Sequence, residues 1–407
     1  MRDIPELLIP AGSLSKVRMA LAYGADAVYV GAPGLSMRPD DVTLDEGDLA
    51  EAVTLAHAAR RRLYVCINTL MFEADLPLLT AWLDETRELA FDALIVADPG
   101  AMAVVREQRP DVPVHVSTQM STANRAAASF WKAAGAKRVV LARECTLADA
   151  ASIAQASGIE VEVFVHGAMC MAVSGRCLLS AHLCGKSGSR GECKHSCRWE
   201  WQLVEQKRPG EALPVYETER GTFLMGSTDL CMIQHIPRLV ESGLASLKVE
   251  GRMKSEYYVA TVARVYRAAL DAYAADPEGY ELDPTWGAEL DAVSHRPYED
   301  GFASGYSADR PRKLQTENRL MSTHEMVALV DAHDSDGYRM NVKHPFGVGD
   351  ALEWIGPGMT GGTITIASIR KHGGASIERS HCGTEVTVTI AGDGELPELA
   401  ILRRPRL

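Results

Sequence analysis

The segment PVHVSTQMSTANRAAASFWKAAGAKRVVLAR, residues 113–143, contains one complete strand–helix–strand unit. Its two ends, residues 113–119 and 138–143, are short and rich in β-branched residues, which is typical of strands. Between them, residues 124–134 repeat apolar side chains at the 3.6-residue period of a covering helix. A strand, a helix and a second strand in this order predict a parallel sheet.

The same unit recurs through the first 250 residues, with further helical patterns at residues 48–61 and 76–90. Eight parallel strands are the number that a TIM-like (β/α)8 barrel needs, and a doubly wound sheet is the alternative. The eight candidate strands are ELLIPAG (6–12), ADAVYVG (25–31), RLYVCINT (62–69), ALIVAD (93–98), PVHVSTQ (113–119), RVVLAR (138–143), VEVFVHG (161–167) and SLKVEG (246–251).

The residues at the carboxyl ends of these strands favour the closed barrel. Nearly every strand ends in a polar residue or a glycine, and in a closed parallel barrel those ends converge on one mouth, where such enzymes place their chemistry. These terminal residues are Gly12, Gly31, Asn68, Asp98, Gln119, Arg143, His166 and Glu250.

The spacing predicts two domains. The regular repeat breaks between Gly167 and Ser246, which indicates an insertion at about residues 168–245 in a barrel domain of residues 1–315. Residues 254–276 form a long amphipathic helical pattern. From residue 325 to 407, six short alternating runs separated by turn residues predict a small all-β barrel or sandwich.

Composition limits the class of protein. The chain has 407 residues, 46% hydrophobic and 24% charged, as soluble globular proteins have. The start, MRDIPELLIPAG, lacks the features of a signal peptide, so a cytoplasmic protein is expected. The net charge of -12 argues against avid nonspecific binding of nucleic acid, although a local basic groove is compatible with it.

The nine cysteines point to one region, because six of them lie between Cys170 and Cys231. An odd number in a reducing compartment argues against a disulfide framework and favours metal binding, catalysis or buried thiols. Isolated Cys66, Cys145 and Cys382 fit ordinary buried thiols. The clustered set, Cys170, Cys177, Cys184, Cys193 and Cys197, followed by Cys231, could bind zinc or a [4Fe–4S] cluster, and its spacing alone identifies neither.

The cysteine region carries a close resemblance to a known family. GAMCMAVSGRCLLS, residues 167–180, resembles the signature of peptidase family U32. Further stretches resemble the tRNA-hydroxylating branch of that family: ELLIPAG (6–12), ADAVYVG (25–31), CRWEW (197–201), EQKRPGEALPVYE (205–217), STDLCMIQHIP (227–237), LKVEGRMKSEYYVATVARVYRAA (247–269) and VSHRPYEDGFASG (293–305). The carboxyl-terminal β module is similar to the family's carboxyl-terminal domain.

This resemblance implies a barrel-like catalytic domain that binds a [4Fe–4S] cluster. By position in the motif, Cys170, Cys177 and Cys193 are implied ligands and Cys197 the fourth, with Cys231 and then Cys184 as substitutes. The implied activity is oxygen-independent hydroxylation of the tRNA wobble uridine to 5-hydroxyuridine, with prephenate required. Other hydroxylating branches act on ribosomal RNA or on a quinone precursor, and the older alternative is a peptidase or collagenase.

The residues themselves give little support to proteolysis, because the His-Glu-x-x-His and Gly-x-Ser-x-Gly motifs are absent. A prephenate site instead needs cations for two carboxylates, and arginine binds them bidentately. Candidates near the mouth are Arg143, Arg176 and Arg252, for which an ion pair with Glu144 or Glu250 is the alternative. His166 could exchange a proton near neutral pH, and Asn68 and Gln119 could contact a base edge.

Phosphate contacts for tRNA are weakly marked. Candidate basic clusters are KRPG at residues 207–210, the group Arg310, Arg312 and Lys313, and the tail RRPR at residues 403–406.

Overall fold

The computed structural model describes most of the chain outside the cysteine-rich insertion. The described residues are 4–38, 40–169, 179–184, 194, 196, 216–218, 221–223, 228–305, 320–371, 374–392 and 394–406. Five of the predicted site residues therefore lie outside the described part: Cys170, Arg176, Cys177, Cys193 and Cys197.

The first part of the chain alternates strands and helices. Its strands are β1 (Glu6–Pro10), β2 (Ala27–Gly31), β3 (Arg62–Ile67), β4 (Ala93–Val96), β5 (Val114–Val116), β6 (Arg138–Val140), β7 (Glu160–Ala168), β8 (Tyr216–Thr218), β9 (Gly221–Phe223), β10 (Asp229–Cys231), β11 (Ser246–Val249) and β12 (Tyr298–Glu299). Its helices are α1 (Leu14–Ala22), α2 (Glu46–Ala58), α3 (Leu76–Glu85), α4 (Pro99–Gln108), α5 (Arg125–Ala133), α6 (Leu147–Ser157), α7 (Leu179–Cys184), α8 (Ile236–Glu241), α9 (Glu256–Ala275) and α10 (Pro284–Asp291).

Eight of these strands form a closed parallel barrel. Strands β1 to β7 pair in sequence order, and β11 pairs in parallel with both β7 and β1. Ser246 is the register partner of Glu6 on one side and of Glu162 on the other, which closes the ring. The eight predicted strands are confirmed, and closure excludes the doubly wound alternative.

The helices begin where a polar side chain follows a strand. Ser13, Asp45, Asp98, Asn124 and Thr146 each cap a helix by accepting a hydrogen bond from a backbone N–H in its first turn. The predicted long helix is α9, which Ser255 caps in the same way. Within the described residues, no helix is both long enough and apolar enough to span a membrane.

The insertion returns to the barrel through β10, which sequence analysis did not predict as a strand. This short strand pairs antiparallel with the end of β7, so that Asp229 lies opposite Ala168 and Cys231 opposite His166. Strand β12 extends the sheet beyond β10. The chain therefore leaves and re-enters the barrel wall at adjacent positions.

The carboxyl-terminal domain is a second, antiparallel barrel with its own apolar core. Its strands are β13 (His324–Asp334), β14 (Gly337–Val342), β15 (Ala351–Ile355), β16 (Gly361–Lys371), β17 (Ser376–Ile377), β18 (Glu385–Ile390) and β19 (Ile401–Pro405). The closed order is β15, β19, β13, β14, β18 and β16, with β16 returning to β15 and β17 added at the side. The predicted small β-barrel is confirmed, and its six runs are the six barrel strands.

Buried contacts join the two domains. The Tyr23 hydroxyl, at the end of α1, donates to the carbonyl oxygens of Leu399 (2.8 Å) and Ile355 (3.1 Å). Arg403 of β19 is buried and binds Glu289 of α10 at 2.7 Å. Arg403 is therefore committed to the domain interface, which does not support the prediction that this part of the tail contacts phosphate.

Charged side chains cross the interior of the larger barrel. Arg138 of β6 lies 2.6 Å from Glu6 of β1, and because these strands are not neighbours, the contact passes through the barrel. Glu162, fully buried on β7, accepts hydrogen bonds from Arg138 (3.1 Å) and from Lys248 of β11 (3.0 Å). Burial works to raise the pKa of Glu162, but Lys248 and Arg138 lower it below its usual value. Glu162 therefore stays ionised between two cations.

Replacing Arg138 with Met tests this network. The substitution removes one of two cationic partners of a buried carboxylate, so we expect a loss of about 3 kcal/mol in the free energy of unfolding, measured with urea. The matched control is Arg87→Met, which removes the exposed Arg87–Asp84 pair and costs less than about 1 kcal/mol. Equal losses in the two variants would contradict a structural role for the interior network.

Candidate active site

A cavity lined by both charged and apolar side chains lies at the carboxyl-terminal mouth of the barrel. Its volume of about 90 Å³ can hold several water molecules or the polar end of a small ligand. Four predicted site residues line it together: Asn68, Gln119, Arg143 and Arg252. The sequence patterns did not indicate three further lining residues, the cations Arg38 and Lys248 and the aromatic Tyr29.

Glu250 organises two of the cavity's arginines. Its carboxylate lies 2.9 Å from the Arg38 guanidinium and 3.6 Å from that of Arg143. The Arg143 guanidinium also stacks over the Phe164 ring, 4.0 Å from its centroid. Burial works to raise the pKa of Glu250, but Arg38, Arg143 and Arg252 lower it to about 2. The ion pair proposed as the alternative role of Arg143 therefore exists, and it holds the guanidinium at the cavity wall.

Arg252 is buried, and its hydrogen-bond partner is a neutral side chain. It is 3% exposed, and its Nη1 donates to the Ser36 hydroxyl at 2.7 Å. Among the described residues, no carboxylate lies within 4.0 Å of its guanidinium. Gly31 makes room for this side chain, because a Cβ there would lie 2.3 Å from Nη1 of Arg252. Arg252 thus presents a positive charge that no described carboxylate neutralises by direct contact.

The amide side chains of Asn68 and Gln119 line the same cavity as the cations. Asn68 follows β3, and its Oδ1 accepts a hydrogen bond from the Met37 backbone N–H at 3.2 Å. This contact ties the loop that carries Arg38 to the end of β3. Gln119 lies in the short helical turn Thr118–Met120 after β5. Both residues are therefore close to the cations, as the convergence of strand ends predicts.

Lys248 forms the floor of the cavity. Its ammonium group is buried, binds Glu162 and lies 4.4 Å from the centroid of the Tyr29 ring. The sequence contained a signal for the charged face of β7, because Glu160 and Glu162 alternate with apolar residues and alternate residues of a strand point to the same face.

His166 lies outside the residues that line the cavity. It is 1% exposed and packs among Tyr258, Tyr266 and Tyr298, whose ring centroids lie 5.1–5.9 Å away. Burial, with a smaller effect of the His295 charge, lowers its pKa to about 3. Such a neutral, enclosed imidazole does not support the predicted proton exchange near neutral pH.

The described cysteines do not form a metal site. Cys231 is buried in β10, where burial raises the pKa of its thiol to about 11. Cys184 ends α7 and is half-buried. Within the described part of the chain, no three His, Cys, Asp or Glu side chains are grouped to hold a metal ion. The alternative of Cys231 in place of Cys197 stays a prediction, because the other implied ligands lie outside the described residues.

Comparison with known proteins shows the family to which the chain belongs. A family model described as peptidase family U32 matches residues 12–313, and a model of the U32 carboxyl-terminal domain matches residues 322–403. The chain belongs to peptidase family U32. This U32 chain carries its mouth cavity within the first matched region and its smaller barrel within the second.

Several relatives in the U32 family have names that state an activity. The chain is 38% identical to tRNA hydroxylation protein P1 of Bacillus subtilis, covering 92% of this chain and 89% of that protein. It is 36% identical to tRNA hydroxylation protein P of Escherichia coli, covering 87% and 86%. It is 34% identical to the 23S rRNA 5-hydroxycytidine C2501 synthase of Escherichia coli, covering 66% of this chain and 39% of that protein.

The Glu250→Gln variant tests the electrostatics of the mouth through pH. A carboxyl with a folded pKa of about 2 and an unfolded pKa of about 4.3 contributes stability fully above pH 4.3 and loses it as pH falls towards 2. We therefore expect the stability difference between wild type and Glu250→Gln to be largest at pH 7 and smaller at pH 3, in urea unfolding.

The control for this measurement is Glu88→Gln, which changes an exposed glutamate and should show a small difference at every pH. A difference for Glu250→Gln that stays constant between pH 7 and pH 3 would contradict a depressed pKa.

Proposed function

We propose that this protein hydroxylates RNA, and specifically the wobble uridine of tRNA to 5-hydroxyuridine, without molecular oxygen and with prephenate as co-substrate. Relatives named for tRNA hydroxylation, aligned over most of both chains, support the RNA substrate. The name of the rRNA relative refers to a 5-hydroxylated pyrimidine, which supports the same type of reaction.

The observation that carries the proposal is the excess of cationic over carboxylate side chains in the lining of the mouth cavity. Prephenate has two carboxylates, and guanidinium groups bind carboxylates through two parallel hydrogen bonds. No described carboxylate contacts the Arg252 guanidinium directly, and its partner is the Ser36 hydroxyl. Glu250 holds the Arg143 guanidinium at the wall of the same cavity. Since Glu250 is ionised throughout the physiological range, this charge arrangement is fixed before the ligand arrives.

A target uridine must leave its stack to reach such a site. Enzymes that modify a base extrude it and recognise its edge by hydrogen bonds. In the proposed complex, Asn68 and Gln119 contact the base edge, and the Phe164 face and Met169 supply apolar contact. The cations at the mouth also explain how a chain with a net charge of -12 can bind tRNA. The attraction of a phosphate depends on the electrostatic potential at the binding site and not on the net charge of the whole chain.

The proposed cofactor is a [4Fe–4S] cluster on Cys170, Cys177, Cys193 and Cys197. The donor chemistry fits, since four thiolates complete such a cluster. Strand β7 ends at Ala168, and the next residue, Met169, lines the cavity immediately before Cys170. The Ser180 hydroxyl accepts a hydrogen bond from the Lys194 backbone N–H at 2.9 Å, which joins the residues that follow Cys177 and Cys193. When bound, the cluster would supply a redox or Lewis-acid centre beside the mouth.

A peptidase, the function in the family's name, is less compatible with this cavity. Proteolysis by a nucleophile needs a base within hydrogen-bond reach. Cys66 lines the cavity, but burial raises the pKa of its thiol, and His166 lies outside the lining. The lining that the structure describes thus contains no histidine paired with a nucleophile.

Iron content tests the cofactor. We expect protein purified without oxygen to contain iron and absorb visible light, and Cys170→Ala and Cys193→Ala to lose both because a thiolate ligand is removed. Cys66→Ala and Cys231→Ala are matched controls that should retain iron. An iron-free wild type would reject the cluster, and loss of iron in Cys231→Ala in addition to the two ligand variants would make Cys231 the fourth ligand.

Mass spectrometry of tRNA tests the reaction. In a strain without any tRNA uridine hydroxylase, we expect this protein to restore 5-hydroxyuridine and its derivatives. Arg252→Met should lower that level at least about tenfold, because a charge-assisted contact is lost. The control Arg87→Met should restore the full level. Absence of the nucleoside with the wild-type protein would refute the tRNA assignment.

A further inference from the structure

Lys248 has an unusual environment for a lysine. It is 4% exposed, and its ammonium group lies on the inner side of the barrel, below Arg252 and Glu250 on the same chain segment. The aromatic faces of Tyr29 and Phe164 lie 4.4 Å and 5.7 Å from Nζ, and these faces favour a positive charge. The site therefore stabilises a charged ammonium group at the cavity floor.

Among the described residues, the hydrogen bonds of Lys248 leave capacity for a ligand. An ammonium group has three N–H donors. Glu162 accepts one of them at 3.0 Å, and Glu162 is itself shared with Arg138. The π faces accept no strong hydrogen bond, so a ligand acceptor in the cavity can take a remaining donor. Lys248 belongs to the cavity lining, which places those donors within reach of the space.

The charge of the lining favours an anion. Four cationic side chains line the cavity, Arg38, Arg143, Lys248 and Arg252, whereas its carboxylates are Glu144 and Glu250. Lys248 and Arg252 are buried, so electrostatic attraction to them is less screened than at the surface. A small carboxylate would balance the excess positive charge of the lining and accept hydrogen bonds from the remaining N–H donors of Lys248.

We propose that Lys248 is the residue that binds a carboxylate of the small anionic co-substrate at the floor of the cavity, while Glu162 fixes the position of its ammonium group. This inference rests on the proposed function for the identity of the co-substrate, prephenate, and on the geometry alone for the anion site. Arg252 and Arg143 then contact the second carboxylate from the wall.

Calorimetric titration of the full chain, purified without oxygen, tests this inference with three ligands: prephenate, malonate and inorganic phosphate. Lys248→Met keeps the length of the side chain and removes its charge. Glu162 retains Arg138 as partner in that variant, so the fold should persist, which thermal unfolding checks. Lys248→Arg keeps the charge and serves as a second variant. Lys137→Met, which removes the exposed lysine paired with Glu160, is the matched control.

We expect prephenate and malonate to bind wild type and Lys137→Met equally, and to bind Lys248→Met at least about tenfold more weakly. Lys248→Arg should retain more affinity than Lys248→Met. Equal affinity in wild type and Lys248→Met, or no binding of any of the three anions to wild type, would overturn the inference.

The outcomes separate this inference from the proposed function. Binding of malonate that depends on Lys248, without binding of prephenate, would support the anion site and reject prephenate as co-substrate. Binding of phosphate in preference to both dicarboxylates would overturn the carboxylate assignment. Prephenate binding that Lys248→Met leaves unchanged would retain the co-substrate and remove Lys248 from its site.

Discussion

The ion pair of Glu162 with Arg138 and Lys248 is the constraint on which the larger barrel depends. These three charged side chains lie in the barrel interior, where parallel barrels usually have layers of branched apolar side chains. A buried carboxylate is tolerated only when its partners are placed accurately, so β6, β7 and β11 must keep their register. The network runs from Glu6 at the amino end of the barrel to Lys248 at the floor of the mouth.

This interior network prepares the chemistry above it. Because Glu162 fixes Lys248 and Glu250 fixes Arg38 and Arg143, the cations of the mouth are oriented by the protein before any ligand binds. Sites that are organised in advance lose little free energy to reorientation during reaction. The barrel therefore uses carboxylates to position cations, and the cations remain available to contact an anionic ligand.

Sequence analysis could predict the eight strands, their closure and the gathering of Asn68, Gln119, Arg143 and Arg252, since strand periodicity and strand ends are local features. It could not find Lys248, whose role depends on which face of β11 points inward and on a partner 86 residues away. It also assigned His166 to the mouth, although the bulge where β7 meets β11 and the antiparallel β10 enclose this side chain among tyrosines. Such outcomes depend on tertiary packing, which no single segment encodes.

The pairing of β10 with the end of β7 has a consequence for the segment that lies between these two strands. Ala168 and Asp229 are register partners, so the two ends of the intervening segment are neighbours independently of what lies between them. The backbone ladder closes this loop, and closing a longer loop costs only slightly more free energy. The length of this segment can therefore change at little cost in free energy while the barrel strands keep their positions.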